Sequence, residues 1–287
     1  MGKAAIQYSL ESGMVPKFPL DELFEGIVAD RLRVNCCLEL LLSQGRSMHG
    51  NPVPRAMDYA VLGQAQRIRP ILAMRIARLL GVESEHVMRS ACAVELIHSA
   101  SLIIDDLPCM DDEAIRRGKP SLHVQFGEPT AILAAFSMVA MAARIVIELP
   151  TQEADCLRLR HFQLSLLRTL DCASLVGGQS MDLTLVGPER DRLRTAVNDM
   201  KTVPLFQLAV EGGCVSYPGA MPAGLETFGR SFGVAFQLTD DFIDGELHDR
   251  KMLDDTYEQC RASLQPFGQH AETLFELVDY LSSRASS

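Results

Sequence analysis

Leu23, Phe24, Ile27, Val28 and Leu32 recur at three- and four-residue intervals, the spacing that gathers apolar side chains on one side of an α-helix. Asp21 stands just before them, where an N-cap belongs. The same period runs through Ile71 to Leu80, Val87 to Ile104, Ala131 to Ile147, Ala154 to Leu175, Leu193 to Ala209, Leu225 to Ile243, Met252 to Leu264 and Ala271 to Leu281. Convincing two-residue alternation, the mark of a half-buried strand, is missing. The turn-forming runs Gly118-Lys119-Pro120, Gly187-Pro188 and Pro218-Gly219 fall between the helical stretches. The pattern predicts an all-α protein, and with no repeat, low-complexity tract or long linker the simplest organisation is one domain over residues 1–287. Ala131 to Ala143 has no strongly polar face, which places it centrally in a large bundle or at a subunit interface. It is shorter than the roughly 20 residues that cross a bilayer, and Glu128 and Arg144 bracket it, so a buried helix is expected and no transmembrane segment.

Composition narrows the function. A net charge of −10 and only five lysines argue against nucleic-acid binding, which needs clustered cations against phosphates. An anionic ligand would need metal or a few placed arginines. The eight cysteines are scattered without CxxC or Cys/His spacing, so neither a zinc site nor a disulfide framework follows. The N-terminal MGKAAIQYSLESG lacks the apolar core of a signal peptide, and a cytoplasmic protein is expected.

Two carboxylate clusters carry the candidate chemistry. In DDFID, Asp240, Asp241 and Asp244 follow a long apolar helix, and i, i+4 spacing sets Asp240 and Asp244 on one face. Such a cluster is either a solvated helix end or a hard-cation site whose remaining ligands are water and phosphate oxygens. In DDLPCMDDEAIRRGKP, Asp105, Asp106, Asp111 and Asp112 precede Arg116, Arg117 and Lys119. Acid followed by base suits an anion held by metal from one side and by bidentate guanidiniums from the other, the bland alternative being a surface salt-bridge patch. Regular helix geometry would align Asp105 with Asp112 rather than Asp111, but Pro108 disturbs the turn, and spacing leaves the choice open.

The order of ELIHSASLIIDDLPCMDDEAIRRGKPSLHVQFGE, GGQSMDL, MKT and FGVAFQLTDDFID resembles the trans-isoprenyl diphosphate synthases, the farnesyl and geranylgeranyl diphosphate synthase family, over about Arg67 to Asp244. The resemblance implies an all-α single-domain bundle of the isoprenoid synthase type, its aspartate motifs facing each other across a central apolar cavity, normally as a homodimer. It implies up to three Mg²⁺ ions on Asp105, Asp111 and Asp240, with help from Asp106 and Asp244. Asp241 completes the second motif, and Lys201 joins the aspartates as a catalytic residue. Arg116, Lys201 and Gln237 would hold the allylic diphosphate; Arg69, His98 and Arg117, with Gln66 at the usual lysine position, would take isopentenyl diphosphate. Taken singly, His98 reads as a core histidine and Lys201 and Gln237 as surface or capping groups. Farnesyl-forming relatives usually carry a bulky residue just upstream of the first motif, so by the same resemblance small Ala100 and Ser101 favour geranylgeranyl diphosphate or a near neighbour within a C15–C20 range, with Phe136 or Met138 as candidates to close the pocket.

The chain also departs from the resemblance. The usual Gly-Gly-Lys-Arg is here Gln64-Ala65-Gln66-Arg67, which removes a charge from the isopentenyl side. After DDFID the usual basic loop is missing, leaving Arg250 and Lys251 as possible stand-ins. Three functions fit: an elongating synthase, favoured because both motifs, the arginine pair and Lys201 remain; a non-catalytic or regulatory subunit of a heterodimeric synthase; or a terpene-cyclase-like enzyme that ionises a prenyl diphosphate without elongation.

Overall fold

In a computed structural model of the protein, residues 18, 20–43, 50–149 and 156–286 are described. The N-terminal stretch MGKAAIQYSLESG and the start of the expected helix 154–175 lie outside them. The chain packs as two compact units, one drawn from residues 1–71 and 92–148, the other from 72–91 and 149–287.

The first unit contains α1 (Glu25–Ser43), α2 (Val53–Val61), the start of α3 (Ile68–Leu79), the end of α4 (Glu85–Asp105), a two-strand ribbon of β1 (Ile115–Arg116) and β2 (Lys119–Pro120), α5 (Leu122–Phe126) and α6 (Glu128–Ile147). Asp21 is not the N-cap its position suggests. Helix α1 starts at Glu25, and the Asp21 carboxylate accepts the Phe18 N–H at 2.9 Å and pairs with the buried Arg31, whose guanidinium lies over the Phe18 ring. A buried arginine is a stronger claim on a carboxylate than a solvated helix end. Helices α2 and α5 pack on α6, which is longer than its most apolar stretch and has two characters. Ala131, Ala134, Ala135, Met138, Ala142, Ile145 and Val146 are buried, whereas Ile132, Leu133, Phe136 and Ile147 are exposed. By length and composition α4 and α6 would each suffice to cross a membrane.

The ribbon is the only strand pairing among the described residues. Arg117 and Gly118 join its strands with φ of 53° and 73°, the positive values a two-residue type I′ loop requires at both positions. Glycine accepts that cheaply; arginine does not.

The second unit holds the remainder of α3 and α4 with α7 (Cys156–Thr169), α8 (Leu175–Thr184), α9 (Pro188–Gly213), α10 (Ala223–Ile243), α11 (Arg250–Leu264), a 3-10 turn (Gln265–Ala271) and α12 (Glu272–Arg284). The helix expected over 154–175 ends earlier, at Thr169, and α8, which begins at Leu175, is a further helix that the apolar period does not predict. A turn closed by the Ser174 N–H on the Asp171 carbonyl at 3.0 Å separates them. Helices α9 and α10 make the broadest contact, for a reason legible in their side chains. A Cβ at Gly229 would stand 2.7 Å from Val210 Cγ2, and one at Gly233 3.2 Å from Val203 Cα. That proximity lets Phe206 meet Phe232 edge-to-face at 5.6 Å and Phe236 at 5.1 Å. Each buried phenyl is worth about 1.5–3 kcal/mol of transfer free energy. Thr239 then fastens α10 to α11 and α12: its hydroxyl meets Tyr257 Oη at 2.7 Å, and Tyr257 Oη reaches the Leu281 carbonyl at 3.3 Å.

Candidate functional site

In the first unit α4 stops at Asp105, because Pro108 disfavours helical geometry in the residue before it. The chain folds back at once, with the Asp111 N–H donating to the Asp105 carbonyl at 2.9 Å and the Asp112 N–H to the Leu107 carbonyl at 3.1 Å. The backbone of Asp111, rather than that of Asp112, is thus hydrogen-bonded to Asp105. Asp111 is exposed and Asp105 half-buried. Asp106 points the other way. It is 3% exposed and accepts from Arg116 Nε at 2.8 Å. Two residues to which the resemblance gives separate duties, Asp106 to metal and Arg116 to the allylic diphosphate, are thus bound to each other. Burial alone would lower the Arg116 pKa, but its bond to Asp106 and the carboxylate's charge hold it above the ordinary arginine value.

The remaining cations gather around His98. Arg69 Nη1 lies 3.2 Å from His98 Nε2, so the neutral ring accepts there and carries its proton on Nδ1. Burial, and then the charges of Arg69, Arg117, Arg67 and Arg116, push the imidazole well below the usual histidine range. Arg117 is itself depressed by burial and by Arg67 and Arg116. Gln66 is half-buried in the irregular stretch just before α3. Arg67, which sequence reasoning assigned no duty, is the structural centre of the group. It is buried at φ 58° and donates to Glu95 at 2.6 Å, to Asn35 at 2.9 Å and to the Val61 carbonyl. Beside this group Arg116, Arg117, Lys119, Gln64, Tyr59 and Ser99 line a small cleft. The buried Ser99 hydroxyl has no partner among the described residues.

In the second unit the DDFID carboxylates are divided. Asp241 accepts from Gln237 Nε2 at 2.8 Å, while Gln237 Oε1 accepts from the Thr202 hydroxyl at 2.6 Å. Gln237 therefore orients Asp241 as well as standing where a diphosphate contact is expected. Asp244 is exposed at the C-cap of α10, its N–H on the Asp240 carbonyl at 2.9 Å. Asp240 accepts from Arg284 at 2.7 Å, a partner in the last turn of α12 that the sequence reading missed. Lys201 is paired with Asp182 at 2.6 Å, another residue not singled out. That pair depends on the glycines of GGQSMDL: a Cβ at Gly178 would lie 2.9 Å from Met200 Cβ and 3.0 Å from the Lys201 backbone nitrogen. Arg250 is committed to Asp254, to the Ala285 carbonyl and to the Phe242 ring, so it is no free stand-in for a missing basic loop. Phe136, one candidate for the pocket floor, is 77% exposed, whereas Met138 is fully buried.

Residues 51–257 match the sequence model of the Polyprenyl synthetase family. The chain belongs to this family. Like other members it has the all-α isoprenoid synthase fold: it is similar to a geranyltransferase from Legionella pneumophila at a TM-score of 0.81 and 29% identity, covering 92% of this chain and 98% of that one. An FPP/GFPP synthase from Zymomonas mobilis gives 0.80 and 29%, covering 91% and 98%. The heterodimeric geranylgeranyl pyrophosphate synthase large subunit 2 of Arabidopsis thaliana is 34% identical over 217 residues, 74% of this chain and 56% of that protein. Geranylgeranyl pyrophosphate synthase 6, mitochondrial, of the same plant is 36% identical over 200 residues, 67% of this chain and 60% of that protein. This polyprenyl synthetase family member thus spans somewhat over half the length of these curated relatives.

The donor sets suit a hard divalent cation. All the candidate ligands are carboxylate oxygens, and among the described residues no three His, Cys, Asp or Glu groups converge on one point. Carboxylate oxygens are the donors that Mg²⁺ takes, water and substrate phosphate completing its shell.

Proposed function

We propose that this protein is a Mg²⁺-dependent prenyltransferase, condensing isopentenyl diphosphate with an allylic diphosphate to a short-chain trans product of C15–C20 length. The observation that carries the reading is the cationic group of the first unit: Arg69 on a neutral His98, with Arg67, Arg116 and Arg117 acting on the same ring. An enzyme that only ionises an allylic diphosphate has no use for a second anion site of this kind. Asp105 and Asp111, with Asp106, in the first unit, and Asp240, with Asp241 and Asp244, in the second would hold metal, which supplies electrostatic stabilisation of negative charge on the leaving diphosphate. Arg116 in the first unit, and Lys201 and Gln237 in the second, would add positive charge and hydrogen bonds to bound diphosphate. Apolar side chains keep water from the allylic cation, the isopentenyl double bond attacks it, and the departing diphosphate accepts the proton. Ala100 and Ser101 leave room for an elongating chain, and Met138 is the better candidate for its floor.

A second reading, that of a subunit needing a complete synthase as partner, is favoured by Gln66 at the expected lysine position and by the exposed apolar residues of α6. Homodimer and heterodimer would both use such a face; we favour a second copy of this chain.

The test is purified protein with Mg²⁺, labelled isopentenyl diphosphate and dimethylallyl, geranyl or farnesyl diphosphate in turn. Elongated product supports the first reading. Turnover only when a partner synthase is added replaces it with the second, and hydrocarbon or alcohol from the allylic substrate alone replaces it with a cyclase-like activity.

A further inference from the structure

Arg284 stands at the second aspartate motif without any sequence signal to place it there. Its Nη2 is 2.7 Å from Asp240 Oδ1 and its guanidinium lies 5.5 Å from the centre of the Phe236 ring. Phe236 and Asp240 are i, i+4 neighbours on α10, so one planar cation spans both. The platform is firm, since Phe236 packs on the buried Phe206 at 5.1 Å. The backbone beyond Arg284 is pinned too, Arg250 donating to the Ala285 carbonyl at 3.0 Å. Arg284 Nη1 is buried and donates to no group among the described residues, which leaves the fork with unused capacity.

We propose that Arg284 is the diphosphate-binding cation of the second motif: it holds Asp240 in the metal-free protein and passes to the diphosphate once Asp240 is given up to a divalent cation. The inference rests on the prenyl diphosphate reading above. It also accounts for the absence of the basic loop usual after DDFID. Of the cations next in the sequence, Arg250 is committed elsewhere and Lys251 is exposed, whereas Arg284 already touches the motif. A guanidinium suits the exchange because it stays charged at every working pH and presents several donors in one plane. It competes with a metal ion for Asp240 when diphosphate is absent, and adds to binding when both arrive together.

The sign of that competition separates this role from a merely structural salt bridge. The full chain would be titrated calorimetrically with Mn²⁺ alone and with inorganic pyrophosphate in the presence of Mn²⁺, as wild type, Arg284→Gln and Arg284→Lys, each confirmed folded by circular dichroism. Arg284→Gln should bind Mn²⁺ alone more tightly, yet bind pyrophosphate with Mn²⁺ about tenfold or more weakly, the scale of one charge-assisted hydrogen bond. Arg284→Lys should recover part of the pyrophosphate affinity. If both affinities stay at wild-type values in folded Arg284→Gln, the residue only fastens α12 to α10 and the proposal falls while the prenyl diphosphate reading stands. If wild type binds no pyrophosphate with Mn²⁺, that reading fails and takes the proposal with it.

Discussion

Arg67 and Glu95 make a nearly fully buried ion pair, 2.6 Å apart with 1% and 2% of their side chains exposed. Removing one partner strands a charge away from water, so Arg67→Met should cost about 3–5 kcal/mol in urea unfolding. The double variant Arg67→Met/Glu95→Leu should recover most of that loss, and a double variant no more stable than the single one would show that the pair is not the issue. His98 gives a pH dependence. Its native pKa lies well below the unfolded value of about 6.5, so below that pH the unfolded chain binds a proton that the native ring refuses. Stability from this residue is therefore present above pH ~6.5 and falls as pH drops below it, by at most about 1.4 kcal/mol per unit. Between pH 7.5 and 5.5, His98→Asn should lose about 2–4 °C less in Tm than wild type. Gln66→Lys restores charge on the isopentenyl side and should lower the apparent KM for isopentenyl diphosphate; an unchanged KM would separate Gln66 from that site. At this scale the sequence named candidate residues but not their pairings. Asp106 with Arg116, Asp182 with Lys201 and Asp240 with Arg284 join positions 10, 19 and 44 residues apart. No local period reports such contacts.

Elements were legible in proportion to their length. The long helices show several turns of one apolar period, and α4, α6, α10 and α11 fall within a few residues of their expected limits. Helix α2 spans 9 residues behind prolines, α5 only 5, and α8 is 10 residues containing a Gly-Gly pair, so none offers the repetition that periodicity needs. The early end of α7 escaped notice because Leu170, Ala173 and Leu175 continue the apolar run through the turn residues 171–174. The glycines of α8 have a packing reason instead of a flexible one. Gly178→Ala would drive a methyl group to 2.9 Å from Met200 Cβ, and α8 must shift away from α9 to admit it. We expect a loss of about 1–3 kcal/mol by chemical denaturation. The variant should also weaken diphosphate binding more than Gly187→Ala, because α8 and α9 hold the Asp182–Lys201 pair between them. Gly187 has open space about its Cβ and is penalised only by its φ of 61°. Equal binding losses in the two variants would sever the link from helix spacing to Lys201.

For the molecule as a whole, α6 poses the remaining question. A 20-residue helix apolar all round should be buried all round, yet Ile132, Leu133, Phe136 and Ile147 are 46–77% exposed, with Ala140 on the same stripe. Monomeric soluble proteins rarely leave such a surface bare. Two environments would cover it: another protein face or lipid, since α6 also meets the length and composition of a membrane-crossing helix. The exposed Arg144 on the same helix, paired with Glu148 at 3.0 Å, is costly in hydrocarbon but ordinary at the polar rim of a protein interface. A second copy of this chain is the occupant that needs no further component, because a two-fold axis would set the stripe against itself. Wild-type protein should then sediment at about twice its 31.6 kDa chain mass without detergent, and Phe136→Glu, which places like charges across the axis, should sediment at the monomer mass with unchanged circular dichroism. Wild-type monomers that pair only with a complete synthase would transfer the face to a heterodimer. Monomers that partition into detergent micelles, with the variant staying out, would give it to lipid.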